Sequence, residues 1–407
     1  MSYPELIKSS LGNLSGYLLS RPTQEELHAK GGLSNEAQKY LDCLILNDLA
    51  QRIRGYYLPV DFARGTNPNN KWRVVSCLQK AIRFGDSEMA QFAASVLYDL
   101  DKDHLFRRLS VIAVEDVGAG SVYGMLATLA VRSSAAWRRS VDERRLGCFL
   151  AKMLAEAPKD RTLCDLLVVV DYDRAVEKVK LATKNDDALA ERIRDPSLSI
   201  KERMCAAWLL AGTKRFPGLT MPEDNDRPTF PLLRLMVEEG LSRGMLYLAS
   251  KTAGRTGSPM WVSFLFFDQW LRRTDHIGFV EAKLPPTPKI GKLLGASYDM
   301  FTREGRIAIG KFKKENMGVL KPFLRCAHSG MEDTLLHHGL FQVEGGMLRV
   351  RVTFRNSERV RNQAKLDEMT YTGIGEDILP EFLQVLRENL PALNECRAKV
   401  LYAMLKG

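Results

Sequence analysis

Arg107-Arg108 and Glu115-Asp116 bracket the largely apolar run Leu109-Ser110-Val111-Ile112-Ala113-Val114. A carboxylate buried there would have its pKa raised by desolvation or lowered by Arg107 or Arg108, and either would suit general-base or electrostatic work on DNA. Adjacent helix positions diverge by about 100°, so the two acids cannot share one face, although both would line a cleft at the helix end. The structural reading is that they pair with the two arginines and lock the helices together. Asp299, Thr302, Arg303 and Glu304 form a second cluster, for which an N-terminal helix cap is the plain alternative. The candidate catalytic residues are therefore Glu115, Asp116 and Asp299.

The chain of 407 residues carries a net charge of +10, and the excess is unevenly placed. Residues 283–321 hold nine Lys/Arg against three acids, a net +6, and residues 349–365 hold six against one, a net +5. Such clustering is the electrostatic footprint of a phosphate-backbone binder; the bland alternative is a solvated basic face. The residues expected to meet nucleic acid are Lys289, Lys292, Arg303, Arg306, Lys311, Lys313, Lys314, Arg349, Arg351 and Arg355.

Hydrophobic residues make up 45% and charged residues 27%, the balance of an ordered globular protein. No run of about 18 apolar residues occurs and Met1-Ser2-Tyr3-Pro4-Glu5 does not begin a leader pattern, so a cytoplasmic protein without membrane contact is expected. The seven cysteines are odd in number and widely spaced, which fits reduced core thiols better than disulfides. Cys326 with His328 lacks a second ligand pair, so no structural metal is expected, nor any cofactor.

The elements that must position these groups are helical almost throughout. Residues 35–54 put Ala37, Tyr40, Leu41, Leu44, Ile45, Leu49 and Ile53 on one stripe. A turn-rich stretch at 64–70 precedes a helical block opening at Lys71, in which Gly85-Asp86 reads as stop and N-cap. Asp171 and Asp173 read as helix-capping acids ahead of a helix over 174–183, with a divalent-ion pair as the alternative. The proline-rich segment 215–231 reads as a surface loop or linker. The aromatic run Met260-Trp261-Val262-Ser263-Phe264-Leu265-Phe266-Phe267 reads as core, although aromatics also stack bases. Gly345-Gly346, between Leu340-Phe341-Gln342-Val343-Glu344 and Met347-Leu348-Arg349-Val350-Arg351-Val352-Thr353-Phe354, predicts a β-hairpin with one apolar and one cationic face. Gly373-Ile374-Gly375 is a weak match to a phosphate-binding hairpin. The expected fold is mainly α, multi-helix bundle modules with one small β-hairpin in a basic C-terminal part, divided at 1–70, 71–166, 167–280 and 281–407.

Several of these residues carry a family likeness. Lys80-Ala81-Ile82-Arg83-Phe84-Gly85-Asp86, Arg107-Arg108-Leu109, Glu115-Asp116-Val117-Gly118, Leu150-Ala151 and Ala157-Pro158-Lys159 together resemble the C-terminal helical region of the bacterial replication-associated recombination ATPases of the MgsA/RarA type. The likeness covers about a quarter of the chain, 71–166. It implies a clamp-loader-like helical module that supports oligomers and acts at replication forks and DNA ends. No Gly-x-x-x-x-Gly-Lys-Ser/Thr sequence is present, so the likeness implies DNA transactions without ATP hydrolysis.

Three functions follow as expectations. The first is a non-ATPase DNA-binding protein of repair, replication or recombination. The second is a DNA glycosylase-type enzyme excising modified or damaged bases, in repair or antiviral defence, with a base-flipping pocket and a poised carboxylate. The third is an oligomeric adaptor.

Overall fold

A computed structural model describes residues 5, 11–29, 31–59, 70–172, 185–212, 230–256 and 259–406. The turn expected at 64–69, Asp173 with the helix at 174–183, and the proline-rich loop over 215–229 lie outside the described residues. The fold is mainly α, with two small antiparallel strand pairs among the described residues.

The N-terminal part holds α1 (Ser15–Leu19) and α2 (Asn35–Ile53). In α2, Ser34 caps the first turn by accepting from the Ala37 amide at 3.2 Å. Of the expected stripe Ala37, Leu41, Ile45, Leu49 and Ile53 are buried, Leu44 is half-buried and Tyr40 is exposed. The central block is built from α3 (Lys71–Phe84), α4 (Ser87–Ile112), α5 (Val122–Ser133), α6 (Ala135–Arg139), α7 (Glu143–Glu156) and α8 (Thr162–Asp171). Here α3, α4 and α7 pack on one another. Gly85, with φ 71°, ends α3, and Asp86 caps α4 by accepting from the Met89 amide at 2.9 Å. The α4 helix breaks its regular dihedrals once, at Asp101, whose carboxylate accepts from the His104 amide at 3.0 Å. The continuous stretch Ser87–Ser133 is long and apolar enough to cross a membrane, and 78% of its most apolar window is buried in the protein.

Beyond it come α9 (Asp186–Arg194), α10 (Ile200–Ala211), α11 (Phe230–Glu238), α12 (Arg243–Arg255) and α13 (Phe264–Arg272). The aromatic run enters through a 3-10 turn, Pro259–Ser263, and Trp261, Phe264, Phe266 and Phe267 are buried, as an apolar helix face against the core requires.

The C-terminal part starts with β1 (Gly278–Glu281), β2 (Lys289–Ile290) and β3 (Leu293–Leu294). It continues through α14 (Arg303–Glu315), α15 (Met317–Leu324), α16 (Glu332–Leu340), β4 (Val350–Thr353), α17 (Ser357–Thr370), α18 (Leu379–Glu388) and α19 (Leu390–Lys406). A small hairpin is present in this basic part, β2 with β3, turning at Gly291-Lys292. It is not the one expected at Gly345-Gly346. Phe341–Gly345 instead prolongs α16 as a π-helical turn, and neither glycine has positive φ. Leu336, Leu340 and Val343 recur at helical spacing and are buried in the second apolar cluster, so the helical period prevailed over the turn signal. Strand β4 pairs with the distant β1, in antiparallel register from Gly278↔Thr353 to Glu281↔Val350. Gly373 packs its backbone against His328 and Ile374 is buried, so this Gly-x-Gly joins two chain segments.

The apolar core falls into two clusters. The larger runs from Leu11 to Tyr298 and takes back Val352, Phe354, Val360, Ala364 and Leu401; the smaller, from Ala308 to Val400, is built by α14 to α19.

Candidate functional site

One face of α3 carries Trp72, Ser76, Gln79, Lys80 and Arg83, at spacings that bring them onto a single stripe. On an isolated helix this would be the solvated face. Here it lines a cavity of about 600 Å³, and Ser76, Gln79, Lys80 and Arg83 are all buried.

Across from this stripe, α4 ends in the π-helical turn Ala113–Val117, which carries Glu115 and Asp116. Such turns recur at functional sites because one extra residue per turn re-aims side chains. The described residues contain two of them, Ala113–Val117 and Phe341–Gly345, and each contributes a residue to the cavity wall, Glu115 and Phe341. Both carboxylates reach the same two arginines. Asp116 accepts from Gln79 Nε2 at 2.8 Å, from Arg83 Nε at 2.8 Å and from Arg161 Nη1. Glu115 accepts from Arg83 Nη2 at 3.2 Å and Arg161 Nη1 at 3.4 Å. Burial pushes the Asp116 carboxyl up, but the Arg83 and Arg161 charges, with hydrogen bonds from Arg83 and Gln79, outweigh it and hold the group at about 2.

The expected partners were Arg107 and Arg108. Arg107 is exposed and Arg108 donates to Gln79 Oε1. Seven helical residues separate Arg108 from Glu115 by about 10 Å along the axis, too far for a direct pair. Asp116 is fully buried with its oxygens occupied, so it anchors the arginines and offers nothing to a ligand.

Arg161 is brought in by the chain reversal after α7. Gly120 lets Pro158 cross: a Cβ there would lie 2.0 Å from the Pro158 carbonyl oxygen. The Asp160 amide donates to the Asp116 carbonyl at 3.0 Å, and the Asp160 carboxylate accepts from the Ala119 and Thr162 amides, both at 3.0 Å. Three of the motifs quoted for the family likeness, at 80–86, 115–118 and 157–159, thus meet around one buried carboxylate. Lys159 is buried here with its ammonium on the Ala155 carbonyl at 2.9 Å; desolvation brings it down to about 7, against the opposing pull of Asp116. It holds the end of α7 and faces away from the cavity.

Asp299 enters from the loop before α14. Gly305 permits this approach, since a Cβ would lie 2.0 Å from the Asp299 carbonyl oxygen. Thr302 is the helix cap, accepting from the Gly305 amide at 3.1 Å. Asp299 turns away from that role: its Oδ2 meets Lys80 Nζ and accepts from Ser76 Oγ at 2.9 Å, and Oδ1 accepts from the Phe301 amide at 3.0 Å. Glu304 is buried against Asn70 Nδ2 at 3.2 Å. Asp299 and Glu115, expected as separate clusters, therefore line the same cavity.

The remaining wall is Arg108, Arg161, Tyr172, Met300, Phe301, His338, Phe341 and Glu368. The Arg83 and Arg161 guanidiniums stand over the Phe341 ring at 5.3 and 5.6 Å. Trp72 and Phe301 are 55% and 64% exposed and lie at the mouth. Burial raises the Glu368 carboxyl above its usual range, opposed by His338 and by a hydrogen bond from Gln342. Sequence reasoning missed Trp72, Tyr172, His338 and Glu368, because the polar stripe of α3 reads in the sequence as an ordinary solvated face. A second cavity, of about 700 Å³ between α9 and α11, is lined by Arg194, which already pairs with Glu238 and Glu239 at 2.7 Å each.

The expected DNA-facing cations are spread over several elements. Lys289 and Lys292 are exposed on the β2–β3 hairpin, and Arg303, Arg306 and Lys314 on α14. Arg306 donates to the Met300 carbonyl at 3.4 Å, next to the cavity. Lys313 pairs with Asp333 at 2.7 Å, Arg351 with Glu358 at 3.1 Å, Lys311 with Glu315 at 3.7 Å and Arg349 with Glu281 at 3.9 Å. Arg355 is exposed before α17. The cationic face expected of a Gly345-Gly346 hairpin does not form, because β4 has β1 as its partner. Among the described residues no group of three or more His, Cys, Asp or Glu is arranged to hold a metal ion.

No family model, curated protein or solved structure matches this chain.

Proposed function

We propose that this protein binds nucleic acid, takes one unstacked nucleotide into the cavity between α3 and the Asp299 loop, and hydrolyses the bond between base and sugar. The observation that carries the reading is the convergence of Asp299, Glu115 and Glu368 on one aromatic-rimmed cavity of about 600 Å³. That volume lies within the roughly 300–1,000 Å³ of small-ligand sites. An extruded base needs a flat partner to stack on and polar groups for its edge. Trp72 and Phe301 supply the first, Gln79 and Arg108 the second. Arg303 and Arg306, close to Met300, offer charge to the strand outside.

In this reaction the C1′–N bond breaks, positive charge grows on the sugar, and the base leaves with the electron pair. Asp299, fixed by Lys80 and Ser76, stabilises that charge. Glu368, whose burial favours the protonated form, gives its proton to the departing base. Water forms the new C1′–O bond, and the proton it loses restores Glu368. Glu115 keeps Arg83 and Arg161 on the wall.

A second reading, a non-catalytic DNA-binding protein of repair, replication or recombination, is supported by the charge clusters at 283–321 and 349–365 and by the family likeness over 71–166. The test is incubation with plain, damaged and hypermodified DNA, single-stranded and duplex, scoring free base and abasic sites. Base release that disappears in Asp299→Asn supports excision. Salt-dependent binding without product on every substrate leaves the second reading.

A further inference from the structure

Arg361 and Lys365 stand four residues apart on α17, so their side chains rise from the same face. Both line a small cavity of about 40 Å³ that shares Arg161, Phe341 and Glu368 with the larger one. Arg361 is only 8% exposed, yet among the described residues its Nε is buried without a hydrogen-bond partner, and no salt bridge reaches the guanidinium. Among the described residues the Lys365 ammonium likewise has no hydrogen bond or salt bridge; only its backbone carbonyl is engaged, by Gln342 at 2.9 Å.

Among the described residues no acid forms an ion pair with either group, although the Asp165 and Glu358 charges act on both from a distance. Arg161 is committed to Glu115 and Asp116, and Arg351 to Glu358. Asp165 and Glu368 also line this cavity; burial raises both carboxyls, Asp165 lies 4.0 Å from Arg161, and neither acid makes an ion pair with Arg361 or Lys365. Desolvation, and then the Arg361 charge, bring Lys365 down to about 8. Two desolvated like charges side by side oppose folding unless something negative joins them.

We propose that Arg361 and Lys365 form a binding site for a phosphate group, with Arg161 completing the cationic wall. A guanidinium fork and a lysine point charge are the pair of donors that phosphate oxygens use best. The cavity is several times the ~10–15 Å³ that a single water requires. The site shares a wall with the base cavity, so a phosphate here would adjoin a nucleotide there, but its anion chemistry does not depend on base excision.

The test is a calorimetric titration of the whole protein with inorganic phosphate. One saturable site is expected, weakened at least tenfold in Lys365→Gln and in Arg361→Gln and retained in Lys365→Arg. If Arg361→Gln does not fold, the Lys365 variants at their half-buried position decide the matter. Asp299→Asn is expected to bind phosphate as wild type does, which keeps a failure of base excision separate from a failure of this site. A short abasic strand that displaces phosphate assigns the site to a strand phosphate; absence of displacement assigns it to a free phosphate or a nucleotide monophosphate. Equal phosphate affinity in wild type and Lys365→Gln, or no saturable binding to wild type, overturns the proposal.

Discussion

Lys80 and Asp299, 219 residues apart in the chain, form an ion pair on the cavity wall, with Ser76 donating to the same carboxylate oxygen. The side chains are 3% and 14% exposed. A pair so buried adds little net stability over an apolar pair of the same shape, but losing one partner strands the other charge. Its position at the cavity suits a carboxylate held for use.

Asp299→Asn should therefore destabilise the protein by about 3–5 kcal/mol and abolish base release. The double variant Lys80→Met/Asp299→Leu should recover most of that stability in urea unfolding and remain inactive. A double variant no more stable than Asp299→Asn would contradict the ion-pair account.

The same carboxylate can be moved without touching it. Gly305→Ala forces a Cβ to within 2.0 Å of the Asp299 carbonyl oxygen and 2.3 Å of its amide nitrogen, both backbone atoms. The expected loss is about 1–3 kcal/mol, with activity falling as in Asp299→Asn. Gly310→Ala on the same helix meets nothing within 4 Å and should raise stability by about 0.5–1 kcal/mol, the ordinary gain at a helix interior. Thermal unfolding of the two variants should therefore shift in opposite directions.

Asp116 gives a pH signature. Its folded carboxyl sits at about 2, below the usual carboxylate range, so its stabilising contribution is present above the unfolded-chain pKa and is lost as pH falls from about 4 toward 2. That contribution is on the order of 2 kcal/mol. Urea unfolding followed from pH 6 to pH 2.5 should show a steep acid limb in wild type that flattens in Asp116→Asn. An unchanged limb would show that other acids govern the acid transition.

Trp72 and Phe301, exposed at the mouth, should matter for binding and little for folding. Loss of a stacking partner costs about 1–3 kcal/mol per base, so Trp72→Ala and Phe301→Ala should each weaken single-strand affinity roughly tenfold or more, with unfolding midpoints near wild type. Fluorescence anisotropy with a labelled oligonucleotide at fixed salt provides the measurement. Equal affinity for both variants and wild type would remove the base-stacking role.

The amino-acid sequence by itself determined what neighbours within one or two helical turns control. The mainly α fold, the Gly85 stop, the Asp86 and Thr302 caps and the buried aromatic run at 260–267 were legible because capping bonds and apolar periodicity are local. The turn signal at Gly345-Gly346 misled because a helical period of Leu336, Leu340 and Val343 ran up to it and had a core to enter. Only the tertiary structure decided the partners. Glu115 and Asp116 meet Arg83 and Arg161 rather than the nearby Arg107 and Arg108, and Asp299 leaves its own helix for Lys80. The stripe Ser76, Gln79, Lys80 and Arg83 carries no mark distinguishing it from a solvated face. Whether water or another element covers such a stripe depends on how distant segments pack, and that packing turned it into the wall of a cavity.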